Sequence, residues 1–114
     1  TKKYISTSNG IDIYTNKSTK IYAIRPGRVA YVGNGIQGYR HLILIKHANG
    51  FISAYAQNKR VYVKEGQYVH TGESIANAGR LATHRHGIHF ELRRYGKPVS
   101  PFAYVHFPMK TKKT

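Results

Sequence analysis

The sequence predicts an all-β fold of antiparallel sheets. Apolar residues almost nowhere recur at the spacing of a helix, while the β-favouring residues valine, isoleucine and tyrosine are frequent, with 10 tyrosines in 114 residues. Glycine-containing turns follow one another at short intervals. A weak internal repeat, in which residues 24–29 resemble residues 63–69, matches the strand–turn–strand corner of barrel-sandwich folds. The length suits one domain with a modest core.

Eight segments carry the strand pattern. In chain order they are Ile11–Tyr14, Lys20–Ile24, Gly27–Val32, His41–His47, Phe51–Ala56, Arg60–Val63, Ser74–Ala78 and Ile88–Arg94. The Asn49-Gly50 pair between two of them predicts a hairpin, because both residues tolerate positive φ. Residues 42–45 are continuously apolar, so we expect that strand to be covered on both faces.

The end of the chain predicts a turn, a short helical segment and a basic tail. Tyr95–Pro98 has turn composition, and Ser100 precedes Pro101 as a cap would precede the first turn of a helix. We expect residues 1–7 to be an extension, residues 8–106 to be the domain, and residues 107–114 to be a basic tail, of which residues 110–114 are disordered.

The charge of the chain is strongly positive. Lysine and arginine number 19 against four acidic residues, which gives a formal net charge of +15. Such a surface favours polyanions such as cell-wall polymers, anionic lipid heads or nucleic acid. No apolar run is long enough for a membrane span, and no signal peptide is visible. The absence of cysteine excludes disulfides and thiolate zinc sites.

The order of the short motifs resembles that of the lysostaphin-type (LytM-like) zinc endopeptidase family. The resemblance covers roughly residues 8–105 and lies in the joint order of the motifs, since no single one is specific. The matching pieces are Gly10–Ile13, Gly27–Gly33, Gln37–His47, Ala54–Ala56, Val63–Gly66, Thr71–Ala76, His89–Arg93 and Gly96–Pro101. The resemblance implies the fold of that family, with an open groove.

The resemblance also implies that the catalytic zinc site is incomplete. Active members hold zinc with a His-x-x-x-Asp pair and the second histidine of His-x-His, and two further histidines assist catalysis. Asp12 and His89 match two ligand positions, but Ser8, Gln57 and Gly87 stand where histidines are expected. We therefore expect no catalytic residue and no zinc cofactor, with Asp12 and His89 as vestigial ligand positions.

The implied function is regulatory. Degenerate LytM factors, the NlpD- and EnvC-like proteins, activate cell-wall amidases, and this chain is similar to them. The resemblance implies a non-catalytic regulator that binds and activates an N-acetylmuramoyl-L-alanine amidase, in the cell envelope and most plausibly the periplasm. Peptidoglycan and other anionic envelope polymers are further expected partners, and nucleic acid is not. The expected partner-binding groove is lined by Ser8, Asp12, Tyr39, Arg40, His41, Tyr55, Gln57, Gly87 and His89.

Two alternatives stay open at this point. A peptidoglycan endopeptidase could hold zinc in a rearranged site that draws on His41, His84 or His86. A cationic module could bind peptidoglycan without activating any partner. The sequence makes one further prediction for the last long strand, Ile88–Arg94. Since side chains alternate between the two faces of a strand, His89, Glu91 and Arg93 share a face and are predicted to form a polar ladder.

Overall fold

The computed structural model describes residues 3–105, which form eleven strands and two short 3-10 turns. The strands are β1 (Tyr4–Ser6), β2 (Ile11–Tyr14), β3 (Lys20–Tyr22), β4 (Gly27–Gly33), β5 (Leu42–Lys46), β6 (Phe51–Ala56), β7 (Asn58–Val61), β8 (Tyr68–Val69), β9 (Ser74–Arg80), β10 (His86–Arg94) and β11 (Lys97–Val99). The 3-10 turns are Ala48–Gly50 and Pro101–Ala103. The all-β prediction is confirmed.

The predicted strands are all present, two of them with the predicted bounds. The hairpin between β5 and β6 is also confirmed, with φ of 61° at Asn49 and 78° at Gly50. Ser100 takes the cap position before Pro101, although its side chain makes no capping hydrogen bond. The sequence pattern missed the short strands β1, β8 and β11, and β11 begins inside the predicted turn, at Lys97.

The strands pair antiparallel in the order β1–β2–β10–β6–β5–β4–β8. Strand β11 pairs with the end of β10, and β9 pairs with β3, β7 and the start of β10. The nine-residue strand β10 therefore lies at the centre and touches β2 on one side and β6 on the other. His89, near the middle of β10, is therefore flanked by Asp12 of β2 and Ala56 of β6.

Strand β5 is covered on both faces, as its sequence predicts. Ile43 and Ile45 lie in the main core, which also contains Phe90 and Leu92 of β10. Leu42 packs on the opposite face in a smaller cluster, against Ala54 and Ala56 of β6 and the rings of Tyr31 and Tyr39. The second cluster matters for the site because it lies on the same face as His89, which is opposite Ala56 in the β6–β10 register.

The predicted domain limits stay a prediction, although two features of the described residues bear on them. Strand β1 falls within the predicted extension of residues 1–7 and pairs with β2, so this part of the extension belongs to the sheet. Residue 106 and the predicted tail of residues 107–114 lie outside the described residues. Within residues 3–105, no helix is long and apolar enough to cross a membrane.

Candidate functional site

A cluster of polar side chains surrounds His89 on one face of β10. Antiparallel pairing places Asp12 of β2 directly beside His89. Alternation along the strand puts Glu91 and Arg93 on the same face as His89. Tyr39, from the loop between β4 and β5, covers this face with its ring 5.8 Å from the imidazole of His89. We call these five residues the histidine cluster.

Each polar atom at the centre of the histidine cluster has a short hydrogen bond. His89 Nδ1 lies 2.7 Å from a carboxylate oxygen of Asp12, and His89 Nε2 lies 2.7 Å from Oε2 of Glu91. The Tyr39 hydroxyl donates to the same Glu91 oxygen at 2.6 Å. Arg93 donates to the other oxygen of Glu91 at 2.8 Å and 3.1 Å. The predicted ladder of His89, Glu91 and Arg93 is confirmed.

The hydrogen bonds fix the charge of His89. Both of its ring nitrogens face carboxylates, which can only accept, so both nitrogens donate and the ring is an imidazolium. Burial on its own lowers the pKa of His89, but the hydrogen bonds to Glu91 and Asp12 outweigh it and raise the pKa above its ordinary value. The histidine cluster therefore contains a fixed positive ring between two negative groups.

Glu91 is the buried anion at the centre of the cluster, with a side chain only 2% exposed. Burial alone raises the pKa of a carboxyl group, yet the hydrogen bonds from His89, Tyr39 and Arg93 hold the pKa of Glu91 at about 2. The hydrogen bond to Glu91, with burial as the second cause, raises the pKa of the Tyr39 phenol. Glu91 is therefore ionised over the whole physiological range.

This arrangement does not fit the catalytic zinc that the family resemblance implies. A metal-bound histidine must be neutral and offer a lone pair, whereas both nitrogens of His89 are committed as donors to Asp12 and Glu91. Among residues 3–105, no group of three or more His, Asp or Glu side chains is arranged to hold a metal ion. No step of a zinc reaction can be derived from these residues.

The bend between β1 and β2 contributes Asn9, not the predicted Ser8, to the cluster. Ser8 is exposed in this bend. The side chain of its neighbour Asn9 makes a hydrogen bond with Tyr39 that lowers the pKa of the phenol and so opposes the effect of Glu91. Asn9 could not be identified from the motif, because the motif marks Ser8.

A basic groove lies next to the histidine cluster. It consists of two adjoining depressions of about 690 Å³ and 570 Å³. Arg40, His41 and Gln57 line both depressions, and Tyr39 connects the groove to the cluster. The cationic and histidine side chains along the groove are Lys17, Arg40, His41, Lys59, Arg80, His84 and His86, and no acidic side chain is among the described lining residues.

Backbone contacts hold the walls of the basic groove in place. Gln57 has a φ of 69°, and its side-chain amide donates to the carbonyl of Gly38 at 2.9 Å. Its backbone N–H donates to the carbonyl of Arg40 at 2.7 Å. His41 has a φ of 48°, and its backbone N–H donates to the side-chain oxygen of Asn34 at 2.7 Å. Gln57 thus has a structural role in shaping the groove where the family would place a histidine.

Tyr55 does not line the groove, which corrects the prediction. It is 1% exposed. Tyr55 and Phe90 lie opposite each other in the pairing of β6 with β10, and the centres of their rings are 5.3 Å apart. Its hydroxyl contacts Ser53 and accepts from the backbone N–H of Ile24. Since burial raises its pKa to about 12, Tyr55 is a neutral core residue on the face of β6 opposite to that of Ala56.

Gly87, which was also expected to line the groove, is not among its described lining residues. It is buried where β10 meets both β2 and β9. A Cβ at this position would lie 2.3 Å from the backbone oxygen of Ile13 and 2.9 Å from the Leu81 side chain. Glycine is therefore required by the close approach of the neighbouring strand. There is therefore no empty space where a histidine side chain would lie, because Ile13 and Leu81 occupy it.

Restoring the histidine at position 87 should destabilise the protein. We expect Gly87→His to lower the free energy of unfolding by about 2 kcal/mol, because the side chain must displace Ile13 or Leu81. Urea denaturation measures this change. Ala82→His, which adds the same side chain at an exposed position, should change the stability by about 0.5 kcal/mol or less. Equal effects of the two substitutions would contradict the packing argument.

The chain matches the family model "Peptidase family M23" over residues 6–101. It therefore belongs to this peptidase family. The chain is similar to the "Lipoprotein NlpD/LppB homolog" of Pseudomonas aeruginosa, with 45% identity over 88% of this chain and 34% of the relative. It is also similar to the "Murein hydrolase activator NlpD" of Escherichia coli K12, with 44% identity over 86% of this chain and 26% of the relative.

The chain thus spans about a quarter to a third of the length of these two relatives. Among solved structures it is similar to the catalytic domain of a mutant of the prophage-encoded M23 protein EnpA from Enterococcus faecalis. The TM-score is 0.77 at 27% identity, over 91% of this chain and 88% of that one. The catalytic domain of lysostaphin from Staphylococcus simulans has the same fold, with a TM-score of 0.76 at 22% identity over 86% of this chain and 78% of that one.

Proposed function

We propose that this chain is a non-catalytic LytM-type regulator that binds and activates a cell-wall N-acetylmuramoyl-L-alanine amidase. The observation that carries the proposal is the closed histidine cluster. His89 is held as an imidazolium between Asp12 and Glu91, and these bonds replace the metal chemistry of the family with a rigid ionic network. The printed name of the Escherichia coli relative, murein hydrolase activator, supports the same class of function.

The basic groove is the proposed partner-binding surface. It carries four lysine or arginine side chains beside an aromatic ring, Tyr39, and its walls are fixed by the bonds of Gln57. Arginine and tyrosine are frequent anchors in protein interfaces, and a rigid surface reduces the entropic cost of binding. The charge of the groove suits an acidic segment of the amidase, and the chain's charge of +15 also favours contact with anionic peptidoglycan.

Activation in this proposal is a shift of population. The chain must bind the open state of the amidase more tightly than its blocked state. A tenfold increase in the open population requires a difference of about 1.4 kcal/mol between the two binding free energies. Two or three interface side chains supply that difference. The lipoprotein names of the relatives support a place in the cell envelope, which we propose to be the periplasm.

The test is an amidase assay with purified components. Release of dye from labelled peptidoglycan is measured for the amidase alone, for this chain alone and for both together. We expect no release by this chain and a clear stimulation of the amidase. Arg40→Glu should reduce the stimulation by roughly tenfold, because it reverses a charge in the groove.

The matched control is Arg60→Glu, which makes the same charge change at an exposed residue of β7 outside the lining of the groove. It should leave the stimulation nearly unchanged. Equal losses in the two variants would contradict the groove assignment. Binding to peptidoglycan without any stimulation would instead favour a simple cationic binding module, and chelator-sensitive peptide release by this chain alone would establish an endopeptidase.

A further inference from the structure

A second groove, on the other side of β10, is mostly apolar and plays no part in the proposed function. Its volume is about 550 Å³, within the usual range for sites that hold small ligands. Ile24, Phe51, Leu92 and Val105 form its apolar lining and pack on the main core. Because side chains alternate along a strand, Leu92 points away from the face that carries the histidine cluster. We call this the apolar groove.

Aromatic rings form part of the walls of the apolar groove. Tyr104 meets Phe51 edge to face with the ring centres 4.9 Å apart. Tyr68 adds a third ring and is 49% exposed. At the far wall, His47 bonds to the carbonyl of Pro26 and to the hydroxyl of Ser53, both at 2.7 Å, and burial lowers the pKa of His47. The lowered pKa favours the uncharged form of His47 at this wall.

Three cations surround this apolar lining. Arg25 donates to the carbonyl of Tyr104 at 3.1 Å, and Arg28 donates to the carbonyl of Gly66 at 2.9 Å. These bonds position the two guanidinium groups without neutralising them. Lys46 is the third cation, and none of the described lining residues is acidic. The apolar groove therefore combines an uncharged interior with an uncompensated positive rim.

We propose that the apolar groove binds a small anionic amphiphile, a single acyl chain that ends in a carboxylate. The acyl chain lies against Ile24, Phe51 and Leu92, and burial of its methylene groups drives binding. The carboxylate remains at the rim, where Arg28 and Lys46 donate to it. The small volume and the continuity with the core favour a single chain over an acidic peptide, which would need a longer surface.

The test is calorimetric titration of the full chain with dodecanoate below its micelle concentration. We expect saturable binding to one site, weaker binding of the uncharged alcohol dodecanol, and no detectable binding of butanoate. The double variant Arg28→Glu and Lys46→Glu should weaken dodecanoate binding by at least about tenfold and leave dodecanol binding nearly unchanged. Both residues are exposed, so the fold should tolerate the changes.

The control is a double variant with the same change of charge outside the groove, Lys20→Glu and Arg60→Glu. It should retain the affinity for dodecanoate. Equal weakening in both double variants would overturn the proposal, because the binding would then reflect only the overall charge. Binding to anionic vesicles without binding of monomeric dodecanoate, or binding of an acidic peptide alone, would also overturn it.

Discussion

Glu91→Ala should lower the free energy of unfolding by about 3–5 kcal/mol, because removal of one member of a buried ionic network leaves its partners unpaired. The carboxylate accepts bonds from Tyr39, His89 and Arg93, which come from two different parts of the chain. Without it, Tyr39 loses its hydrogen bond to β10, and His89 and Arg93 each lose a carboxylate partner. Urea denaturation followed by tyrosine fluorescence measures the loss.

Glu65→Ala is the matched control for this experiment. Glu65 is exposed and accepts one bond, from the backbone N–H of Val32. Its removal should cost about 1 kcal/mol or less. If Glu91→Ala were no more destabilising than Glu65→Ala, the histidine cluster would not be the network that stabilises this face of the sheet.

The stability of the protein should depend on pH on both sides of a maximum. The pKa of Glu91 is depressed in the folded state, so its contribution is present above the ordinary carboxyl range and is lost as the pH falls towards about 2. The pKa of His89 is raised, so its contribution is complete below the ordinary histidine value and is lost as the pH rises through the folded value. The histidine cluster should therefore contribute most near pH 5–6.

The contribution of His89 is measured by thermal unfolding of the unmodified protein and of His89→Gln from acidic to alkaline pH. The variant should lose the decline on the alkaline side, because no imidazolium is left to deprotonate, and it should be less stable at pH 5–6. The high net charge affects both proteins alike, so the difference between their pH profiles of stability gives the contribution of His89. Parallel pH profiles of the two proteins would contradict a charged His89.

Much of this fold follows from short-range pattern. Strands Ile11–Tyr14 and Phe51–Ala56 have their predicted bounds, because glycine turns and alternating side chains mark them. The ladder of His89, Glu91 and Arg93 follows from the period of two along a single strand. The three missed strands contain only two or three residues each, which is too short for any pattern to emerge.

The wrong predictions about the site concern which residues face each other on neighbouring strands. This register depends on residues far apart in the sequence, so the local pattern of side chains does not reveal it. Tyr55 was expected in the groove, but the pairing of β6 with β10 puts it opposite Phe90 and leaves Ala56 beside His89. The bond between Tyr39 and Glu91 joins residues 52 positions apart. Gly87 looked like a lost histidine, and only the approach of Ile13 reveals the glycine requirement.

Zinc binding tests the central claim most directly. The tag-free protein is equilibrated with excess zinc, dialysed at neutral pH and measured for metal, in parallel with His89→Ala. We expect that neither protein retains stoichiometric zinc, because both ring nitrogens of His89 donate to Asp12 and Glu91. Stoichiometric zinc in the unmodified protein that disappears in His89→Ala would contradict it, since the cluster would then be a working metal site.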